Sequence, residues 1–170
     1  MADDVKTMLH SAPGRRVLGA LDAKVPAPVL TAIVGAAMQA YAWQAGVIMD
    51  ASSAHMVAGV ALSLLSAALA LAAMAVFYRA RTTINPLDPR RARLLVTGGV
   101  YRWSRNPMYL SLLLLLVAFA IRLDAVLVWL GPCAFWAYVT RFQILPEERA
   151  LAERFGAAYL AYCHRTPRWL

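Results

Sequence analysis

"HMVAGVALSLLSAALALAAMAVF", His55 to Phe77, holds no Asp, Glu, Lys or Arg. A helix of about 20 such residues, rising about 1.5 Å per residue, reaches across a hydrocarbon core of roughly 30 Å. Upstream, "VLTAIVGAAMQAYAWQAGVIM", Val29 to Met49, is of similar length and equally uncharged. Downstream, Met108 to Ile121 would make a helix of only about 21 Å, whereas Ala125 to Leu145 is long enough to cross. Arg122-Leu123-Asp124 joins these two runs, a link short enough to impose a tight helical hairpin. The chain as a whole is 61% hydrophobic and 15% charged, with a mean hydropathy of +0.57, outside the range of soluble domains. The expectation is an all-α integral membrane protein with about four transmembrane helices, the third and fourth paired as a hairpin.

The arginines and lysines orient it. Lys6, Arg15, Arg16 and Lys24 precede the first run, and Arg79, Arg81, Arg90, Arg91, Arg93, Arg102 and Arg105 lie between the second and third. Arg141, Arg149, Arg154, Arg165 and Arg168 lie at or beyond the end of the fourth, and the two other connections hold only Arg122. By the positive-inside rule both termini and the long central loop are cytoplasmic, in the inner or plasma membrane if the source is bacterial. The same distribution explains the net charge of +8 without nucleic acid, because the basic residues flank membrane helices rather than a soluble face.

Residues 1–28 contain no uninterrupted apolar core of a cleavable signal, so the first helix itself directs insertion. Cys133 and Cys163 fall in different segments, as do His10, His55 and His164, and neither set has the spacing of a disulfide framework or a metal site. No repeat divides the chain, which reads as one domain over 1–170. Its parts are a cytoplasmic N-terminal segment (1–28), two spanning helices (29–77), a cytoplasmic loop (78–107), the hairpin (108–145) and a C-terminal helix and tail (146–170). No spacing in the sequence fixes an oligomeric state.

Two segments carry chemistry. The central loop of about 30 residues is long for so small a bundle. Pro86, Pro89, Gly98 and Gly99 interrupt it, while Leu94, Leu95 and Val96 give it apolar anchors, so it reads as an ordered cap on the helix ends. After the fourth run comes "LPEERALAERFGAAYLAYCHRTPRWL". Pro146 suits the first turn of a new helix or a kink of the old one, and Leu151, Phe155, Ala158, Tyr159 and Tyr162 form one apolar stripe of a C-terminal amphipathic helix.

"GVYRWSRNPMY", Gly99 to Tyr109, fits the pattern Gly-x-Tyr-x-x-x-Arg-His-Pro-x-Tyr, with Asn106 in place of the histidine. "EERALAERFGAAYLAY" and the basic, proline-containing end fit Glu-Glu…Phe-Gly-x-x-Tyr-x-x-Tyr. In both, the chain resembles the small integral-membrane methyltransferases, the group of isoprenylcysteine carboxyl methyltransferases and phospholipid methyltransferases, over roughly Thr82 to Leu170. The resemblance implies an S-adenosylmethionine-dependent methyltransferase that releases S-adenosylhomocysteine and takes a lipophilic acceptor, a carboxylate, amine or thiol, from the bilayer. Asn106 donates and accepts hydrogen bonds but cannot titrate as a histidine would.

No Gly-x-Gly-x-x-Gly fingerprint occurs, so the cofactor pocket is not of the soluble dinucleotide type. S-adenosylmethionine presents an amino group, a carboxylate, ribose hydroxyls, an adenine and a sulfonium. For these the resemblance offers Glu147 and Glu148 as acceptors for the amino group or ribose. It offers Asn106 and backbone N–H groups near Gly99 as polar contacts, and Tyr101 and Tyr109 as walls. Arg105 is the candidate catalytic residue. It would hold a carboxylate acceptor in a bidentate fork, or, for an amine or thiol acceptor, bind the cofactor carboxylate or a lipid phosphate. Simpler readings stand beside these: Arg102 and Arg105 as topology signals, Glu147 and Glu148 as first-turn acids favoured by the helix dipole, and Trp103 as part of an interfacial aromatic belt. Two other function classes compete. One is an NADPH-dependent membrane reductase of the sterol-reductase type, whose C-terminal segments are similar; the other is a non-enzymatic protein that binds anionic lipid through the arginine-rich loop.

Overall fold

The structure, a computed structural model, describes residues 25–50, 52–79 and 94–170. The basic residues before Val25 and those of 80–93, with Pro86 and Pro89, lie outside the described residues. Among the described residues every regular element is helical. Helix α1 is Ala27–Gln44, α2 Ser53–Arg79, α3 Pro107–Leu123 and α4 Leu130–Val139. Short 3₁₀ turns at Gly99–Arg102 and Val126–Trp129 precede α3 and α4, and a π turn, Thr140–Ile144, runs from α4 directly into α5, Leu145–Phe155. Helix α6, Ala157–Arg165, closes the chain.

One described helix, α2, is long and apolar enough to cross a membrane by itself, with 27 residues and a mean hydropathy of 2.4 over an 18-residue stretch of it. Helix α3 is apolar but, at 17 residues, reaches only about 25 Å. Helix α1 begins with Pro28 in its first turn and ends at Gln44, several residues short of the run expected to Met49; a turn from Ala45 takes over. Large apolar side chains on α2, among them Val57, Leu64, Leu65 and Leu71, face outward, an exposure that lipid rather than water accommodates. Exposed aromatics mark both ends of the bundle: Trp43 and Trp129 at one, Tyr78 and Trp103 at the other, the pattern of interfacial belts.

The hairpin forms as its short link requires. Asp124 takes the left-handed conformation as the cap of α3, and its N–H reaches the Ala120 carbonyl. The core lies where α1, α3 and α4 meet, around Met38, Leu116, Leu123, Phe135 and Val139. Helix α2 packs chiefly on α3, where the Ser66 hydroxyl donates to the Ser111 carbonyl at 2.7 Å. In a membrane such a bond supplies about 0.6 to 2 kcal/mol, and close packing supplies the rest. At the Trp43 end, Arg122 grips Asp50 with two nitrogens, at 2.9 and 2.6 Å, holding the Asp50 carboxyl below the usual carboxylate range. The basic residue of the hairpin link is thus neutralised.

The C-terminal segment departs from the single striped helix. Gly156 takes a φ of +49°, a region open to glycine at little cost, and breaks the stripe into α5 and α6. Leu151 and Phe155 stay on α5, and only Tyr159 and Tyr162, on α6, are buried. Pro146 sits in the first turn of α5, where its missing N–H is tolerated. Because the π turn admits extra residues, everything after it is rotated about the helix axis. That rotation sets where Glu147 and Glu148 point.

Candidate active site

The segment Gly99 to Asn106 is folded over the end of α2 and covered by the chain terminus. Gly99 has a φ of +59°, and a Cβ there would lie 2.7 Å from Val76 of α2. The turn's own bonds engage the N–H groups of Tyr101, Trp103 and Ser104, so Gly99 has a steric reason to be glycine. Gly99→Ala is expected to cost about 1 to 3 kcal/mol, from the positive φ and the contact with Val76 together; a thermal melt in detergent reads it, and an unchanged melting temperature would contradict it. Tyr101 is buried with its ring edge-on to Phe77, centroids 5.3 Å apart, and burial pushes its hydroxyl above the normal tyrosine range.

The tail is tied to this turn by a series of bonds. Tyr162 donates to the Tyr101 carbonyl at 2.7 Å. The Arg105 N–H reaches the Pro167 carbonyl at 2.9 Å. The Asn106 side-chain amide donates to the Arg168 carbonyl at 2.9 Å, and its backbone N–H goes to the Ser104 hydroxyl. Asn106 thus joins the two motif segments through its amide, a role that needs no titration.

Glu148 stands at the centre. Arg168 holds it bidentately, at 2.9 and 2.7 Å, and Arg105 Nη1 lies 3.3 Å from Oε1. Arg105 also touches the Cys163 sulfur. Only 13% of the Arg105 side chain and 15% of the Glu148 side chain are exposed, so this pair is largely out of water, while Arg168 reaches it from the surface. The Nε–H of Arg105 is buried and has no partner, a donor without an acceptor that a bound anionic group would satisfy. Glu147 points elsewhere, accepting from the Tyr109 hydroxyl of α3 at 3.3 Å. Burial, with the neighbouring Glu148 charge, raises its carboxyl from the ordinary 4.5 to about 7, against the lowering effect of the Tyr109 bond.

The structure therefore brings Arg105, Asn106 and Glu148 together, and separately pairs Tyr109 with Glu147. Gly99 and Tyr101 turn toward α2. Trp103 is 77% exposed, as an interfacial residue would be, and Arg102 is exposed with its carbonyl near the Thr166 hydroxyl. Two site residues escape sequence reasoning: Arg168, legible only as part of a basic terminus, and Cys163, whose isolation in sequence hides its contact with Arg105.

Residues 54–158 match the family model described as "Phospholipid methyltransferase". The chain belongs to the phospholipid methyltransferase family. The match covers well over half of it, from α2 through the motif turn and the hairpin into α6. An uncharacterized protein of Haemophilus influenzae is 44% identical over 63 residues, which is 37% of this chain and the whole of that protein. No solved structure matches at a significant level. Membership in this family makes the chain a membrane methyltransferase and leaves the reductase and the non-enzymatic lipid-binding readings without support.

Proposed function

We propose that this phospholipid methyltransferase family member transfers the methyl group of S-adenosylmethionine to a lipophilic acceptor that enters from the bilayer, and that the acceptor is the amine of a phospholipid headgroup. The observation that carries the reading is the partly buried Arg105–Glu148–Arg168 cluster, formed where the family's two motif segments meet. Its donor set fits the cofactor. The unpartnered Arg105 Nε–H suits the carboxylate, and the Glu148 charge beside it suits the amino group. The cofactor supplies an already activated methyl on its sulfonium. The protein's part is alignment and exclusion of water, which for such transfers provide most of the acceleration. Arg105 anchors the cofactor end in this reading rather than orienting a carboxylate acceptor, because its Nη1 is already engaged by Glu148 and Cys163.

The membrane arrangement belongs to the same proposal: four crossings, with both termini and the active site cytoplasmic. A reporter fused after Leu170 is expected to be active only in the cytoplasm, and one inserted at Ser52 only on the opposite side; a cytoplasmic Ser52 would overturn the topology. Cofactor choice is tested on detergent-purified protein by thermal shift. S-adenosylhomocysteine is expected to raise the melting temperature in a saturable way and NADPH to leave it unchanged. The reverse order would reinstate the reductase.

A further inference from the structure

Helices α1 and α2 each pack on α3 but hardly on each other, and between them runs a groove of about 290 Å³. Leu115, Leu116 and Phe119 of α3 form its floor, Thr31 and Gly35 of α1 one wall and Ser63 of α2 the other, with Arg122 at one end. Leu115 is 41% exposed although a helix flanks it on either side, so the groove opens sideways, toward the bilayer. Its walls are apolar in effect. The Thr31 hydroxyl donates to the Ala27 carbonyl at 2.9 Å and the Ser63 hydroxyl to the Gly59 carbonyl at 2.8 Å, so neither has a proton left for a ligand. Gly35 lies in mid-helix, and an added Cβ would stand 3.9 Å from Leu116, an ordinary contact. Its missing side chain leaves room that packing does not require.

The groove runs along the helices. Gly35 to Gln44 on α1, Leu115 to Leu123 on α3 and Ser53 to Ser63 on α2 are each about 12 to 15 Å of helix, roughly half of a 30 Å hydrocarbon core. All three stretches reach the Trp43 end of the bundle, whereas the motif turn that carries Arg105 sits over the other end, against Val76. The groove therefore lies mainly at the depth of the leaflet opposite the active site. At its end, Gly59 lets the Arg122 stem cross α2, where a Cβ would collide with it. Asp50 takes Nε and Nη2 of the guanidinium, which leaves Nη1 to donate elsewhere. The other charged groups there are Asp124, the cap of α3, and His55 of α2, 3.2 Å from it. A bare anion would meet two carboxylates at this end. A headgroup carrying both signs can place its phosphate on Arg122 and its ammonium among the carboxylates.

We propose that the groove holds one acyl chain of a zwitterionic, ammonium-bearing phospholipid from the leaflet opposite the active site, with the phosphate on Arg122 and the ammonium toward Asp124. This lipid is a resident of the fold and not the methyl acceptor, which meets its cofactor at the other end of the bundle. The choice of leaflet rests on the four-crossing arrangement proposed above. Within hydrocarbon no hydrophobic force drives α1 onto α2. A chain lying in the groove supplies the packing contacts that the two helices do not make with each other, and a ligand that binds only the folded protein stabilises it.

The test is lipid binding to delipidated, detergent-purified protein without cofactor, read by native mass spectrometry. Phosphatidylethanolamine should bind saturably, at least about tenfold tighter than phosphatidylglycerol or diacylglycerol of the same chains, and should raise the melting temperature. Gly35→Leu fills the groove and replaces a mid-helix glycine with a better helix former. It should remove one bound lipid without lowering the melting temperature of the lipid-free protein. Ser63→Leu fills the groove from the other wall and should remove the same lipid, so a folding defect in one variant does not decide the matter. Phosphatidylethanolamine with a diazirine in its acyl chain should label Leu115 and Phe119 in the parent and spare them in Gly35→Leu. Binding unchanged in both filled variants overturns the inference, as does label spread over the outer face of α2 at Val57, Leu64 and Leu71. Equal or tighter binding of phosphatidylglycerol or diacylglycerol also overturns it, because the charges at the end of the groove would then have no part. None of these readouts uses methyl transfer, and the Ser52 reporter reads topology by itself, so failure of this site is distinct from failure of the proposed activity or of the membrane arrangement.

Discussion

Glu148→Gln is expected to release the C-terminal tail and to lower methyl transfer by more than about 100-fold. The neutral amide keeps the shape of the side chain but leaves the Arg105 and Arg168 guanidiniums facing each other without their shared anion. Breaking a fully buried pair costs about 3 to 5 kcal/mol. The Arg168 side chain is 37% exposed, so solvent screening brings the expected figure nearer about 2 to 4 kcal/mol. The loss should concentrate where the cluster acts. Arg168 holds Asn106 through its carbonyl, and the neighbouring Pro167 holds the Arg105 N–H, so a detached tail also frees the motif turn. Limited trypsin digestion should show new cleavage at Arg165 and Arg168 while α2 and the hairpin stay protected. An intact tail in the variant, with normal activity, would mean that Glu148 is an ordinary first-turn acid of α5.

Arg105→Lys carries the second large effect. A topology signal requires only positive charge, whereas Arg105 presents Nη1 to Glu148 and Cys163 and turns a buried, unpartnered Nε–H the other way. Lysine is a single point donor and cannot serve both directions. Expression and insertion should be preserved and methyl transfer reduced by at least about tenfold, roughly 1.4 kcal/mol of transition-state stabilisation. Arg102→Lys is the control. Arg102 is exposed and contributes its backbone carbonyl, to Thr166, so the substitution should be much milder. Equal activity of Arg105→Lys and the parent would reduce Arg105 to a charge.

The helices were legible because apolar length and turn residues act locally. Met108 to Ile121 is extended to Pro107–Leu123 by its proline and its Asp124 cap, and the link at Arg122 to Asp124 leaves no other arrangement than a hairpin. The motif turn was legible from residue type and spacing. The break at Gly156 was visible as a glycine but was overridden by the periodicity of the residues on either side. The π turn had no local signal, since nothing in "TRFQI" distinguishes one more residue per turn from an ordinary helix. With it went the division of labour between Glu147 and Glu148, which depends on helix rotation and on partners 20 to 40 positions away: Arg168 for one, Tyr109 for the other. Arg168 and Cys163 were missed for the same reason, because the partners that give them a role, Glu148 and Arg105, lie 20 and 58 positions away.

The central claim, a membrane enzyme that methylates lipid, is tested most directly by methyl transfer in a defined membrane. Protein reconstituted in vesicles of phosphatidylethanolamine and phosphatidylglycerol is given S-adenosylmethionine labelled in its methyl group, and the lipid is extracted and resolved. Label should enter the phosphatidylethanolamine-derived fraction on the headgroup nitrogen, saturate with the donor and be suppressed by S-adenosylhomocysteine; donor turnover without label in any lipid, or no turnover at all, would contradict it.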